Sequence, residues 1–243
     1  MPFLYLSPST QQFNPYATTG NEEYWMNLIA DDMEPYLRAA GINFTRNDPN
    51  TSAAAAIRES NAGTYDFHLA LHSNAAGDAN SGSIRGIDVY YYPTSAEGLA
   101  MANILVDNLK TVYPLPELVR ALSTTAIGEV RRTQAPSAFL ELGYHDNVAD
   151  ATWVENNVAE IARAISLSVT EYFGLPFVEP GPVREGTIVG DNVNFRSLPT
   201  TDSAVYRKLP SGTPVAVYGT WQDWYSIGQE GLNGWVNSRF VTV

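Results

Sequence analysis

The chain of 243 residues contains no cysteine, three histidines and two lysines, Lys110 and Lys208. Without cysteine there is no disulfide, no thiol nucleophile and no thiolate site for zinc or an iron–sulfur cluster. His68, His72 and His145 are therefore the most that any imidazole-based metal site can draw on. Basic residues number 14 against 26 acidic ones, a net charge of −12. That balance argues against nucleic acid as a partner, since binding it needs a basic patch. Long apolar runs are also missing, and none approaches the roughly 20 residues that span a bilayer. The start, Met1-Pro-Phe-Leu-Tyr-Leu, has no basic residue ahead of its apolar stretch and reads as a first strand rather than a secretory leader. No internal repeat or low-complexity tract is present.

What is there suits a folded chain. Hydrophobic residues make up 44% and tyrosines number 14, which is too apolar for disorder. The length fits one large domain or two smaller ones. Character changes near 174–186, where Gly174-Leu-Pro-Phe-Val-Glu-Pro-Gly-Pro-Val ends a helix and continues as an extended linker. The division expected is 1–175, a linker over 176–184, and 185–243. Residues 184–243 hold five acidic and five basic side chains, so the first part carries the whole net charge.

The first part alternates strands and helices. Strands are expected at Phe3–Ser7, Ile42–Thr45, Asp66–His72, Gly86–Tyr92 and Ser137–Leu142. Helices are expected at 22–40, Ala53–Ser60, Ala96–Tyr113 and Asp150–Phe173. This pattern predicts an α/β fold with a mixed, mostly parallel sheet flanked by helices. The second part shows only short strands between Gly, Pro, Asn and Asp turns, which predicts a small all-β barrel.

Chemistry-bearing residues gather where strands end, which is where ligands bind in such sheets. His72 closes the apolar run Phe67–Leu71 and stands equally as a metal ligand or as a hydrogen-bonded strand-end histidine. His68 shares its face but lies roughly 13 Å away along the strand, so it reads as structural. Glu141 interrupts the apolar Ala138-Phe-Leu-Glu-Leu. A buried carboxylate there is either a general base or the partner of Arg131 or Arg132 in a salt bridge. Glu22 and Glu23 open a helix, where acids are favoured in any case.

Taken in order, these segments resemble the zinc-dependent N-acetylmuramoyl-L-alanine amidases over about residues 3–174. Glu23 with Asn27 matches that family's Glu ligand and following Asn. Asp66-Phe-His-Leu-Ala-Leu-His72-Ser-Asn-Ala matches the strand ending in a ligand His, and Gly86-Ile-Asp-Val-Tyr-Tyr the next strand. Val130-Arg-Arg-Thr-Gln-Ala-Pro-Ser-Ala-Phe-Leu-Glu141-Leu-Gly matches the strand that delivers the catalytic Glu. The resemblance implies hydrolysis of the amide between N-acetylmuramic acid and L-alanine of the peptidoglycan stem peptide. Zinc would sit on Glu23 and His72, Glu141 would be catalytic, and Asn74, Arg131 and Arg132 would bind substrate. One departure stands out: the family's first ligand His is Thr10 here. His145, four residues beyond Glu141, is the expected substitute, and Gln11 and Gln12 are poorer ones because amide oxygens bind zinc weakly.

The tail resembles a bacterial SH3 domain through Asp191-Asn-Val-Asn-Phe-Arg-Ser-Leu-Pro-Thr, Gly212-Thr-Pro-Val, Trp224-Tyr-Ser-Ile and Gly234-Trp-Val-Asn-Ser. It implies wall binding, with Trp221, Trp224, Tyr225 and Trp235 as groove candidates and with action at the cell wall or outside the cell. The rival expectations are a wall-binding protein with a degenerate metal site and a zinc peptidase acting within the stem peptide.

Overall fold

The structure, a computed structural model, describes residues 2–243. Met1, at the head of the expected first domain, lies outside them. In chain order the first part forms β1 (Phe3–Pro8), α1 (Glu22–Ala39), β2 (Asn43–Arg46), α2 (Ala53–Ala62), β3 (Phe67–Asn74), β4 (Ile87–Tyr91), α3 (Ala96–Leu109), β5 (Val119–Ser123), α4 (Gly128–Arg131), β6 (Ser137–Tyr144), α5 (Val148–Asn156) and α6 (Val158–Tyr172). The strands lie in the order β2-β1-β3-β6-β4-β5. Every neighbouring pair is parallel except β6 with β4. The mixed, mostly parallel sheet is as the sequence implies. Two elements, β5 and α4, were not expected, and the long helix over 150–173 is two helices broken at Asn157.

Alternation along the strands gives the sheet two unlike faces. Leu4, Leu6, Leu69, Leu71, Ile87, Val89, Leu140 and Leu142 point to the main core, where α1, α3 and α6 contribute Met26, Ile29, Met33, Leu105, Ile161 and Ile165. The alternate residues of β1, β3, β6 and β4 face the other way: Ser7, His68, His72, Glu141, Asp88 and Tyr90, with Ala70 and Phe139 packed on Val130 of α4. Chemistry is confined to this second face.

The second part forms β7 (Arg184–Ile188), β8 (Val193–Arg196), β9 (Val205–Leu209), β10 (Pro214–Trp221), β11 (Trp224–Gln229), β12 (Leu232–Asn237) and β13 (Val241–Thr242). They form one antiparallel sheet curled around Ile188, Phe195, Val217, Ile227 and Val236.

The proline-rich stretch between the two parts is extended but not loose. Leu175 is buried in the main core, Phe177 stacks on Tyr36 at 5.5 Å, and Val178 is buried beside Ala39, Trp224 and Trp235. Trp235 is fully buried against the first part and packs over Gly41, whose φ of +70° needs no side chain there. Asn43 and Asn233 exchange two hydrogen bonds, Asn43 Nδ2 to Asn233 O at 3.0 Å and Asn233 N to Asn43 Oδ1 at 2.8 Å. Ser226 Oγ donates to the Arg38 carbonyl at 2.5 Å. These contacts correct one expectation: Trp235 lines no open groove, because it is fully buried in the seam between the two parts, whereas Trp224 joins that seam and also borders a cavity of about 210 Å³ with Asn194, Arg196, Asn237 and Phe240. Trp221 is exposed and Tyr225 half-buried under the Arg184 guanidinium.

Removing a buried tryptophan leaves a cavity that costs about 3–5 kcal/mol. Trp235→Ala is therefore expected to lower the unfolding free energy read from urea titration by that order, and to open 176–183 to limited proteolysis. Unchanged protease resistance would mean that the seam does not hold the two parts together.

Candidate active site

Strand register lays out the site. His72 lies opposite Glu141, Glu141 opposite Asp88, and Asp88 opposite Arg120, so four adjacent strands put one polar row across the sheet. His72 and Asp88 are almost wholly buried. Glu141 Oε2 is buried with no hydrogen-bond partner.

The start of α1 closes over this row. The Asn21 side chain caps the helix by accepting from Tyr24 N at 2.8 Å. From that start Glu22 falls one turn ahead of Met26, on the stripe that continues through Ile29 and Met33 into the core. Its carboxylate is buried and lies 2.7 Å from His72 Nδ1. Asn14 Nδ2 donates to Glu22 Oε2 at 2.6 Å. The Gln11 amide lies 3.1 Å from the same His72 nitrogen and 3.4 Å from Glu22 Oε1. The other ring nitrogen, Nε2, lies 3.3 Å from Glu129 Oε2. Glu129 Oε1 in turn accepts from Ser7 Oγ at 2.6 Å and lies 3.2 Å from His68 Nε2, and Ser60 Oγ lies 2.9 Å from His68 Nδ1. Phe139 stacks on the His72 ring at 4.2 Å.

These partners set the charges. Burial pushes the His72 imidazole down, but hydrogen bonds and charge from Glu129 and Glu22 outweigh it and hold it up at about 10. Burial pushes Glu129 up, yet His68 and His72 bring it well below the usual carboxylate range. Glu22 is likewise held low against burial by His72 and by its neighbouring amide and hydroxyl donors. Glu141 goes the other way. Burial pushes it up to about 8, with His72 opposing and Glu22 and Asp88 adding to the rise.

The structure brings together His72 and Glu141 from the expected residues, and among the described residues no side-chain hydrogen bond joins Glu23, His145, Asn74, Arg131 or Arg132 to either of them. Glu22 takes the place expected for Glu23, whose side chain meets Asn27 at 3.4 Å instead. His145 does not substitute for the missing histidine. Its Nδ1 lies 2.9 Å from the Ser73 carbonyl, its ring stacks on Tyr16, and its own carbonyl accepts from Ala17 N at 2.7 Å. It holds the loop after β1 in place. Asn74 Oδ1 accepts from the neighbouring Ala75 N at 2.8 Å. Arg131, the last residue of α4, and Arg132, its C-cap, are exposed. Among the described residues no group of three or more His, Asp, Glu or Cys side chains is placed to hold a metal. The residues that sequence reasoning missed are Glu22 as partner of His72, Gln11 as the side chain that reaches it, Glu129 and Asp88. Asp88 could have been found: it is the one acid in the β-rich run Gly86–Tyr92.

Glu141 makes a pH-dependent prediction for metal-free protein. A carboxyl raised from 4.5 to about 8 carries no penalty while neutral below pH 4.5, and the penalty grows until pH 8. After treatment with chelator, Glu141→Gln should therefore gain in Tm over wild type as pH rises from about 4.5 to 8. A gap that stays constant over this range would count against a buried, unpaired Glu141.

Residues 12–171 match the family model described as N-acetylmuramoyl-L-alanine amidase, and residues 191–242 match the bacterial SH3 domain. No curated protein sequence matches the chain. Among solved structures, the catalytic domain of the amidase CwlV from Bacillus (Paenibacillus) polymyxa var. colistinus is 17% identical with a TM-score of 0.61, over 72% of this chain and 100% of that one. The amidase AmiC2 of Nostoc punctiforme is 16% identical with a TM-score of 0.60, over 71% and 97%. The catalytic domain of the CD27L endolysin, targeting Clostridia difficile, is 19% identical with a TM-score of 0.57, over 70% and 98%. At these identities the likeness to solved structures is one of fold.

Proposed function

We propose, for a chain that belongs to the N-acetylmuramoyl-L-alanine amidase family, that zinc is held by Glu22, His72 and Gln11 and that Glu141 is the general base. The enzyme class is the family's: a peptidoglycan hydrolase acting on the amide bond between N-acetylmuramic acid and the L-alanine of the stem peptide. Members of the family are generally zinc-dependent.

The residues present fit such an ion, with one weak donor. Glu129 takes His72 Nε2, so Nδ1 is the nitrogen left for a metal, as outer carboxylates commonly arrange. Glu22 Oε1 and the Gln11 amide converge on that nitrogen, the amide through Nε2 while its Oε1 accepts from Asn14 Nδ2 at 3.2 Å, so the amide has to turn over to present its oxygen to a metal. The buried, unpartnered Glu141 Oε2 sits one strand away, and this is the observation that carries the reading. The set offers a carboxylate, an imidazole and an amide oxygen where three strong donors are usual, so affinity should be lower than for a His-Glu-His site.

When bound, zinc polarises the scissile carbonyl and acidifies the attacking water. Glu141 accepts the water proton at Oε2 and returns it to the leaving nitrogen. With only the His72 imidazolium to oppose burial, this carboxyl sits at about 8, too high to serve as a base at neutral pH. A positive charge one strand away draws it down toward the working range. His72 has to lose its second proton before Nδ1 can act as a ligand, so Glu22 and Glu129 exact a pH-dependent cost on metal binding.

The outer assignments belong to the same reading. Residues 1–175 are the catalytic domain, 176–184 the connection and 185–243 the SH3-like domain, acting at the cell wall or outside the cell. Trp221, the exposed aromatic at the β10–β11 turn, Tyr225 and Trp224 are the wall-contact candidates that remain. Among the described residues no helix is long and apolar enough to cross a membrane.

Digestion of purified walls followed by mass spectrometry of the muropeptides should show free lactyl ends with wild type and none with Glu141→Gln. Cuts within the stem peptide instead would favour a peptidase. Gln11→His should tighten zinc at least tenfold in a chelator competition at pH 7.5, and wild-type affinity should rise with pH. If Gln11→His leaves zinc affinity unchanged, Gln11 is not a ligand. If wild type neither binds zinc nor releases lactyl ends, the protein is a wall binder with a lapsed site.

A further inference from the structure

We infer that Arg120 forms an anion-binding subsite of the active face and receives a free carboxylate of the stem peptide on the leaving-group side of the scissile amide. The inference rests on Glu141 marking the reacting carbonyl. Arg120 is the basic member of the row His72–Glu141–Asp88–Arg120. Its Nε and Nη2 both donate to Asp88 Oδ1, at 3.0 and 2.7 Å. Two of its five N–H groups are thereby used and three remain. The Asp88 side chain is 3% exposed while that of Arg120 is 51% exposed, so the guanidinium is anchored at its inner edge and open at its outer one. The anchor draws it over β4, toward Glu141. Fixing it this way removes rotamer freedom that a free surface arginine would lose on binding, and a planar fork suits a carboxylate.

Reach and charge both agree. Adjacent strands lie about 4.8 Å apart, so a guanidinium over β4 lies about 5–10 Å from Glu141 across the sheet. An extended peptide advances about 3.3–3.6 Å per residue, which puts a carboxylate one to three residues past the amide within range. The face otherwise carries Glu22, Glu129, Glu141 and Asp88, none of which can attract a carboxylate. Other nearby cations are committed elsewhere: Arg85 to Asp150, Arg46 to Asp31 and Glu34. Arg131 and Arg132, the sequence candidates for this role, close α4 and belong to none of the strands of the row. Tyr90 and Tyr144 share the surroundings of Asp88 and Arg120 and wall this end of the face.

The test uses the full-length chain and two synthetic probes, the γ-methylamide of N-acetylmuramoyl-L-alanyl-D-glutamate with its α-carboxyl free and the same compound with that carboxyl amidated, so that only the first carries a peptide carboxylate. Binding is measured by calorimetry on Glu141→Gln protein, so that turnover does not intrude, and kcat and KM are measured on the parent. The free-carboxyl probe should bind about 10- to 100-fold more tightly, the scale of a charge-assisted pair. Arg120→Gln in the same background should abolish that preference while leaving the amidated probe within about twofold. Arg120→Lys, which keeps the ion pair with Asp88, should retain part of it. In the parent enzyme the change should fall on KM. Equal weakening of both probes by Arg120→Gln would show that Arg120 acts only by neutralising Asp88, and would overturn the subsite. Binding of both probes by the Glu141→Gln protein without preference would overturn the subsite and leave the amidase reading intact. If that protein binds neither probe and the parent releases no lactyl ends from walls, both fail together.

Discussion

A buried imidazole held between two buried carboxylates is the constraint on which this active face depends. Taking three ionisable groups out of water is costly, and it is tolerated only because each finds a partner: Glu22 on one side of His72, Glu129 on the other, and His68 and Ser7 behind Glu129. That requirement places α4 over the sheet, since α4 delivers Glu129, and fixes the start of α1, which delivers Glu22. It also leaves Glu141 as the odd group out, half-buried, with its Oε2 buried next to acids and without a hydrogen bond. The face is thus divided into a satisfied half that orients and an unsatisfied half that can react.

Much of the fold was legible in the sequence because the two periods are clean. Leu69, Leu71, Leu140 and Leu142 alternate with polar residues, and Met26, Ile29 and Met33 repeat at helical spacing. β5 was missed because a short edge strand of Val-Arg-Ala-Leu-Ser has little apolar signal. The long C-terminal helix was read through its break because nothing but Asn157 marks it: the capping Asn also bonds back to Trp153 O at 2.7 Å.

The site was legible as positions and less so as partners. His72 and Glu141 stand out because each breaks an apolar strand. Choosing between Glu22 and Glu23 required the phase of α1, which the cap at Asn21 and the core stripe decide together. Glu129 could not have been found, since a four-residue helix has no periodicity to display its buried side. His145 was chosen by elimination, and elimination fails when an amide can occupy the place of an imidazole. The loop after β1 brings Gln11, not Thr10, to His72. The SH3-like aromatics show a related limit: Trp235 is as apolar in a seam as in a groove, and only the partner surface at Ala39 and Val178 tells the two apart.

The seam has a consequence for how the two parts cooperate. A barrel on a slack tether samples a volume, and its benefit is a local concentration that depends on tether length. Here Trp235 over Gly41 and the paired amides of Asn43 and Asn233 fix an offset instead. A polymer gripped by the barrel would be presented to Glu141 at one distance and one angle, as work is set in a jig. Strands of the wrong spacing or orientation would then be excluded by geometry, without any contact at the row itself.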